Sequence, residues 1–187
     1  KYGNSLAHVD SIYREMIQDI ASAVQGWSDA RGGHYSFGID SQTMNIPHGS
    51  VTGALPDGRL AGEPLCYAAS PMMGRDIQGP TATVKSVASV EPERLEEGAL
   101  FNLRFDPRGV QGESGLNIIE GVIKTFFESG GQHIQINVVD TETLLDAQEN
   151  PENYRGLMVR VAGYMAYFTD LDQSAQNAII GRTAHLS

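Results

Sequence analysis

The stretch Arg160-Val161-Ala162-Gly163-Tyr164-Met165-Ala166 sets a glycine between a short apolar run and a segment with a helical pattern. Leu157 to Val161 reads as a strand that runs straight into Gly163, so the glycine marks a turn. Beyond it, Asp170 is placed to cap a helix through about Ile180.

Outward toward the N-terminus, Asn150-Pro151 stops a helix that Asp140 can cap and that runs through Gln148. Ile134-Gln135-Ile136-Asn137-Val138 alternates and reads as a strand. Gly130-Gly131 closes an amphipathic helix, with Leu116, Ile119, Val122, Ile123, Phe126 and Phe127 on one side. Ala99 to Phe105 alternates with Phe101, Leu103 and Phe105 on one face, and Asp106-Pro107-Arg108-Gly109 ends it. Thr81 to Val90 fits a strand or a short helix. Before it lies a long Gly- and Pro-rich connection with little periodicity, including the turn Pro56-Asp57-Gly58-Arg59. The first periodic segment, Val9 to Trp27, carries Val9, Ile12, Tyr13, Met16, Ile17, Ile20 and Val24 at spacings of three and four, which predicts a core-packing helix. Helices alternating with short strands give an α/β chain.

The chain has 187 residues, 41% apolar and 19% charged, a globular composition with enough length for a real core. A net charge of -10 without a Lys/Arg run argues against nucleic acid as a partner. No apolar stretch reaches membrane-span length, so no membrane role is expected. The single cysteine, Cys66, allows no disulfide within the chain, and a reducing, cytoplasmic setting fits. The chain starts Lys1-Tyr2-Gly3-Asn4, without Met and without a signal-peptide apolar region.

Familiar catalytic patterns do not occur. His8, His34, His48, His133 and His185 show no ligand spacing, so no metal site is expected. There is no nucleophile elbow and no phosphate-cradling glycine loop. Cys66 has no adjacent His or Lys to lower its pKa and reads as a small hydrophobe. The glycine is different. Loss of hydrogen from a glycine Cα leaves an electron delocalised between amide nitrogen and carbonyl, and without a Cβ the Cα can flatten freely.

Longer motifs surround Gly163. Gly130-Gly131-Gln132-His133-Ile134-Gln135-Ile136-Asn137-Val138, Leu144-Leu145-Asp146-Ala147-Gln148, Asn150 to Tyr154, Arg160 to Ala166 and Ile179-Ile180-Gly181-Arg182-Thr183 together resemble the C-terminal radical domain of glycyl radical enzymes. Upstream, Tyr2-Gly3-Asn4, Gly53 to Arg59, Gly62-Glu63-Pro64, Ser70-Pro71, Gly74-Arg75-Asp76 and Gly79-Pro80-Thr81-Ala82 resemble the same family, so the likeness covers essentially the whole chain.

The resemblance implies the C-terminal portion of the family's α/β barrel, completed by another chain or an upstream segment. Residues 1–129 would belong to the barrel and 130–187 to the glycyl radical domain. The resemblance implies no bound cofactor. A radical S-adenosylmethionine/iron-sulfur activating enzyme would install the radical on Gly163, held in a loop of Arg160, Val161, Ala162 and Tyr164 and protected by burial. The stored radical would oxidise a cysteine to a thiyl, which abstracts hydrogen from a small-molecule substrate. The family's Gly-Cys-x-Glu is absent here, and Cys66 matches another segment, so that role is not transferred to it. A large chain carrying the cysteine and glutamate is the expected partner, as in a split anaerobic enzyme. The alternatives are the C-terminal piece of one longer polypeptide, and a spare radical domain that repairs oxygen-cleaved enzyme. The expected reaction is a dehydratase-type elimination from a small polar substrate, ahead of a decarboxylase, a succinate-adding enzyme or a formate C-acetyltransferase. Ser70, Arg75, Asp76 and Thr81 are the candidate pocket wall, with loop support by hydrogen bonding as their competing role.

Overall fold

The computed structural model describes residues 1–91 and 94–186. The helices are α1 (Ala7–Val24), α2 (Asn45–Ser50), α3 (Pro80–Val87), α4 (Gly112–Glu128), α5 (Thr141–Glu149) and α6 (Gln173–Ile180). The strands are β1 (Asn102–Phe105), β2 (Gln135–Val138), β3 (Met158–Arg160), β4 (Met165–Tyr167) and β5 (Ala184–His185). A three-stranded parallel sheet runs in the order β2-β1-β5, and β3 and β4 form a separate antiparallel hairpin. The parallel sheet draws strands from both sides of the boundary between residues 129 and 130.

β1 is central, and all four of its residues are buried. Phe101, Leu103 and Phe105 pack with Val84 and Val87 of α3 and Val122 and Phe126 of α4. Full burial of each such side chain is worth about 1.5–3 kcal/mol, which fixes this face against the two helices. The expected Phe101/Leu103/Phe105 face is therefore correct, but the opposite face is buried too, as parallel sheets require. It carries Asn102 and Arg104 on β1, level with Gln135 and Asn137 on β2. In β2 the pattern is the reverse of the usual one: Gln135 and Asn137 are 5% and 7% exposed while Val138 is 49% exposed.

The helix ends follow local chemistry. Gly130 at φ +94° lets the chain leave α4, and the Gly131 N–H donates to the Phe126 carbonyl at 2.9 Å. The Asp140 carboxylate accepts the Thr143 N–H at 2.6 Å and caps α5 as expected. α6 differs from expectation. Its cap is Asp172, which accepts the N–H groups of Ser174 and Ala175 at 3.0 Å, while Asp170 lies in a 3-10 turn, Phe168–Asp170. Residues 80–87 are helical, with Pro80 in the first turn, where its missing N–H costs nothing.

The long N-terminal connection is organised by one buried cation. Arg59, 1% exposed, donates to the carbonyls of Gly49 (2.7 Å), Gly53 (2.8 Å), Pro64 (3.2 Å) and Glu63. A guanidinium surrounded by carbonyl oxygens gives a loop with little sheet or helix of its own a fixed interior. Asn4 does similar work near residue 76: its amide donates to the Arg75 carbonyl at 2.8 Å and its oxygen accepts the Ile77 N–H at 2.9 Å. α1 corrects another expectation. Ile17 and Ala21 are buried, but Ile12, Met16 and Ile20 are 53%, 49% and 40% exposed. Those three lie at i, i+4 and i+8, so α1 carries a second apolar stripe that the chain itself leaves uncovered.

Candidate active site

The hairpin lies over the polar face of the parallel sheet. The Val161 N–H donates to the Tyr164 carbonyl at 2.9 Å, leaving Ala162 and Gly163 as a two-residue turn. Gly163 takes φ +82°, the value that the second position of a type II turn needs and that L side chains avoid. Val161 and Ala162 are buried in a cluster with Leu144, Val159 and Phe168, whereas Gly163 and Tyr164 are exposed. The expected burial of the glycine is thus not supplied by this chain.

Three side chains hold the backbone of the turn. The Gly163 N–H donates to Gln135 Oε1 at 3.2 Å. Asn137 serves as a short extra strand: the Arg160 N–H donates to its Oδ1 at 2.8 Å, and its Nδ2 donates to the Arg160 carbonyl at 2.9 Å. Arg182 donates through Nη2 to the Val161 carbonyl at 2.9 Å and through Nη1 to the Arg160 carbonyl at 3.3 Å. The Arg182 guanidinium lies 5.0 Å over the Tyr67 ring. Arg104 fixes the segment that carries Arg182 by donating to the carbonyls of Ile180 (3.2 Å) and Arg182 and to the Thr141 hydroxyl (3.2 Å).

Charge in this region is strongly affected by burial. Burial lowers the Arg182 pKa to about 10; the neighbouring Arg104 pushes the same way, and Tyr67 opposes. Burial raises the Tyr67 phenol to about 12, so it stays neutral at ordinary pH. The Arg104 guanidinium is also lowered by burial. Cationic guanidiniums aimed at carbonyl oxygens suit a role as a rigid frame, not as proton donors.

The four expected pocket residues do not converge on one wall. Ser70 and Asp76 line a cavity of about 20 Å³ with Tyr67, Asn102, Arg104 and Arg182, a space that admits roughly one water. The Ser70 hydroxyl accepts the Asn102 N–H at 3.0 Å. Asp76 pairs with His185 Nε2 at 3.2 Å and accepts the Thr183 hydroxyl, tying the loop before α3 to β5. Arg75 lies beside Gly58, and Thr81 is exposed in the first turn of α3. Cys66 is exposed as a residue, yet desolvation of its thiol raises the pKa, against easy thiolate formation.

Reading the sequence missed Gln135, Asn137, Arg104, Arg182 and Tyr67 as site residues. The available signal was polar residues at alternate positions of strands in a parallel sheet, where burial on both faces forces each to find a partner.

The sequence and the fold are shared with known proteins. The family model described as glycine radical matches residues 67–169. The chain is 41% identical to trans-4-hydroxy-L-proline dehydratase of Clostridioides difficile, over 98% of this chain and 23% of that protein. It is 39% identical to indoleacetate decarboxylase of Tractidigestivibacter scatoligenes, over 99% of this chain and 21% of that one. Among solved structures, the glycerol-bound B12-independent glycerol dehydratase from Clostridium butyricum superposes with a TM-score of 0.95 at 42% identity, covering 100% of this chain and 24% of that one. The chain therefore spans about a quarter of the length of the relatives it matches. A glycine-tipped hairpin clipped to a buried polar sheet face, inside a matching family model and a near-superposable fold, places the chain in the glycyl radical enzyme family.

Proposed function

We propose that Gly163 stores the radical of a glycyl radical lyase. The observation that carries this reading is the seat of Gly163. Its own N–H is held by Gln135 and the strand leading into it by Asn137 and Arg182, its φ is +82°, and the nearest side-chain atoms to where a Cβ would stand are Gln135 Nε2 at 3.8 Å and Leu100 Cδ1 at 4.0 Å. The Cα can therefore lose a hydrogen and flatten without a clash, while the strand leading into it stays fixed. An activating enzyme of the S-adenosylmethionine/iron-sulfur type removes that hydrogen atom. The Gly163 radical then takes hydrogen from a cysteine outside this chain, and the resulting thiyl opens the substrate.

The reaction is an elimination from a small polar substrate, most closely a dehydration. Dehydratases stand among the relatives, beside a decarboxylase and isethionate sulfite-lyases, and each of these named reactions removes a group from a small molecule. The cysteine and glutamate lie on a large partner region, which we place on a separate chain in the cytoplasm. The uncovered apolar stripe of α1 and the exposed Tyr164, Met165 and Tyr167 beside the glycine support such a covering surface. Ser70 and Asp76 serve as framework beneath the site, and Arg75 and Thr81 are left as the pocket-wall candidates.

The test is Gly163→Ala in the assembled enzyme, activated anaerobically and examined by electron spin resonance. The φ at this position costs an alanine about 1–2 kcal/mol, and the space around it is open, so the fold is retained. The glycyl doublet and turnover disappear. A normal doublet in this variant would refute the assignment, and turnover by the purified chain alone would refute a partner region.

A further inference from the structure

The hydrogen bond from Gly163 fixes more than the turn. A backbone N–H can only donate, so the Gln135 amide must present Oε1 to it, as it does at 3.2 Å. The other end of the same amide, Nε2, is then a donor, and it lies 3.3 Å from Nε2 of His133. For that contact to be a hydrogen bond, His133 Nε2 must accept. A neutral imidazole that accepts at Nε2 carries its proton on Nδ1. His133 Nδ1 is buried and has no partner among the described residues.

We infer that His133 is a positioning residue for the radical site: as the neutral Nδ1–H tautomer, it holds the Gln135 amide with its oxygen on the Gly163 N–H. This rests on the reading of Gly163 as the radical carrier and assigns a tuning element to it. A proton on Nε2, in either the other tautomer or the imidazolium, would set two donors face to face. Gln135 would then rotate, place its NH2 against the Gly163 N–H and lose the bond. In the radical, spin is shared with the amide nitrogen, and a hydrogen bond accepted from that N–H enriches the nitrogen as an electron donor. The orientation of Gln135 therefore sets both the restraint on the glycine and the share of spin on its nitrogen.

The experiment uses the assembled enzyme with three readouts. The first needs no substitution: nitrogen-15 shifts of labelled histidine should show His133 protonated at Nδ1 only, and an Nε2–H tautomer overturns the inference. The second is amide hydrogen exchange at Gly163 before activation. His133→Ala should speed it by about two- to tenfold, the range of one net hydrogen bond, while His133→Gln, which keeps a carbonyl acceptor, should stay near the unsubstituted rate. The third is the coupling of the unpaired spin to the Gly163 nitrogen after activation, which should change in His133→Ala and be restored in His133→Gln. Equal exchange and coupling in all three proteins overturn the lock and leave Gly163 as radical carrier. Absence of any doublet in the unsubstituted enzyme overturns the radical reading, with the tautomer and exchange still deciding the lock itself.

Discussion

Asn137→Ala isolates the attachment of the radical hairpin to the sheet. At the two ends of β3, Leu157 and Val161 face the chain that flanks β4: the Val161 N–H reaches the Tyr164 carbonyl and the Phe168 N–H reaches the Leu157 carbonyl. Antiparallel pairing alternates, so the N–H and C=O of Arg160 point away from β4. Asn137 meets both, at 2.8 and 2.9 Å. Its truncation strands the Arg160 N–H, at about 1–3 kcal/mol, whereas the carbonyl keeps Arg182 Nη1 at 3.3 Å. The expected loss is about 2 kcal/mol, confined to the hairpin. At 1.4 kcal/mol per factor of ten, protection of the Arg160 amide against hydrogen exchange should fall roughly 30-fold. The assay is amide exchange in the assembled enzyme, read on residues 157–167, with Asn137→Asp as the partner variant. Aspartate keeps the acceptor for the Arg160 N–H and should retain most of the protection there. Unchanged exchange in Asn137→Ala, or identical losses in both variants, would refute the idea that Asn137 acts as a third strand.

Three further outcomes are expected. Asp106, held down to about 2 chiefly by its bonds from Arg108, contributes stability that is present above the ordinary carboxylate pKa and is lost as pH falls through about 2. Asp106→Asn should therefore be less stable than the parent near neutrality, with the gap closing between about pH 4 and pH 2 in acid titration. Cys66→Ser should leave radical yield and turnover largely intact, and full loss of turnover with a normal doublet would show that Cys66 is the thiyl carrier. Gly109→Ala would put a Cβ 1.4 Å from the Leu186 carbonyl oxygen, so it should displace the chain after β5 and cost about 1–3 kcal/mol of stability, read as a lower denaturant midpoint; a midpoint equal to the parent's would show that this end of the chain yields freely.

Much of the fold was legible wherever one face of an element meets water. α4, α5 and the start of β3 followed from periodicity and caps because the Phe126 side and the Asp140 carboxylate act locally. The turn at Gly163 was legible from residues 160–166, but the hairpin was not: the segment after the glycine, expected to be helical, is strand β4, paired with β3. What sequence could not supply is the meaning of polar residues inside. Gln135 and Asn137 look like the wet side of an alternating strand, and only the placement of β3 against β2 turns that side inward. Arg182 lies more than twenty residues from the carbonyl of Arg160 that it holds, so no local pattern connects them. For α1, Ile12, Met16 and Ile20 have the spacing of a core face; periodicity identifies an apolar stripe without identifying what covers it. The cap of α6 moved from Asp170 to Asp172 because Phe168 is buried and turns the intervening residues into a 3-10 step.

The order of the parallel sheet also implies an order of assembly. β1 sits between β2 and β5, and Arg104 pairs with Ala184, far along the chain. Closing a loop of that length is entropically slow compared with forming a local hairpin. The β3–β4 hairpin can thus form early and settle on Gln135 and Asn137 while the other edge of β1 is still open. Arg182 stands just before β5, so its guanidinium reaches the Arg160 and Val161 carbonyls only when β5 docks and Asp76 engages Thr183 and His185. The docking of β5 is in this way also a latch: a chain that has not completed its sheet presents the glycine on a hairpin held at two points instead of three.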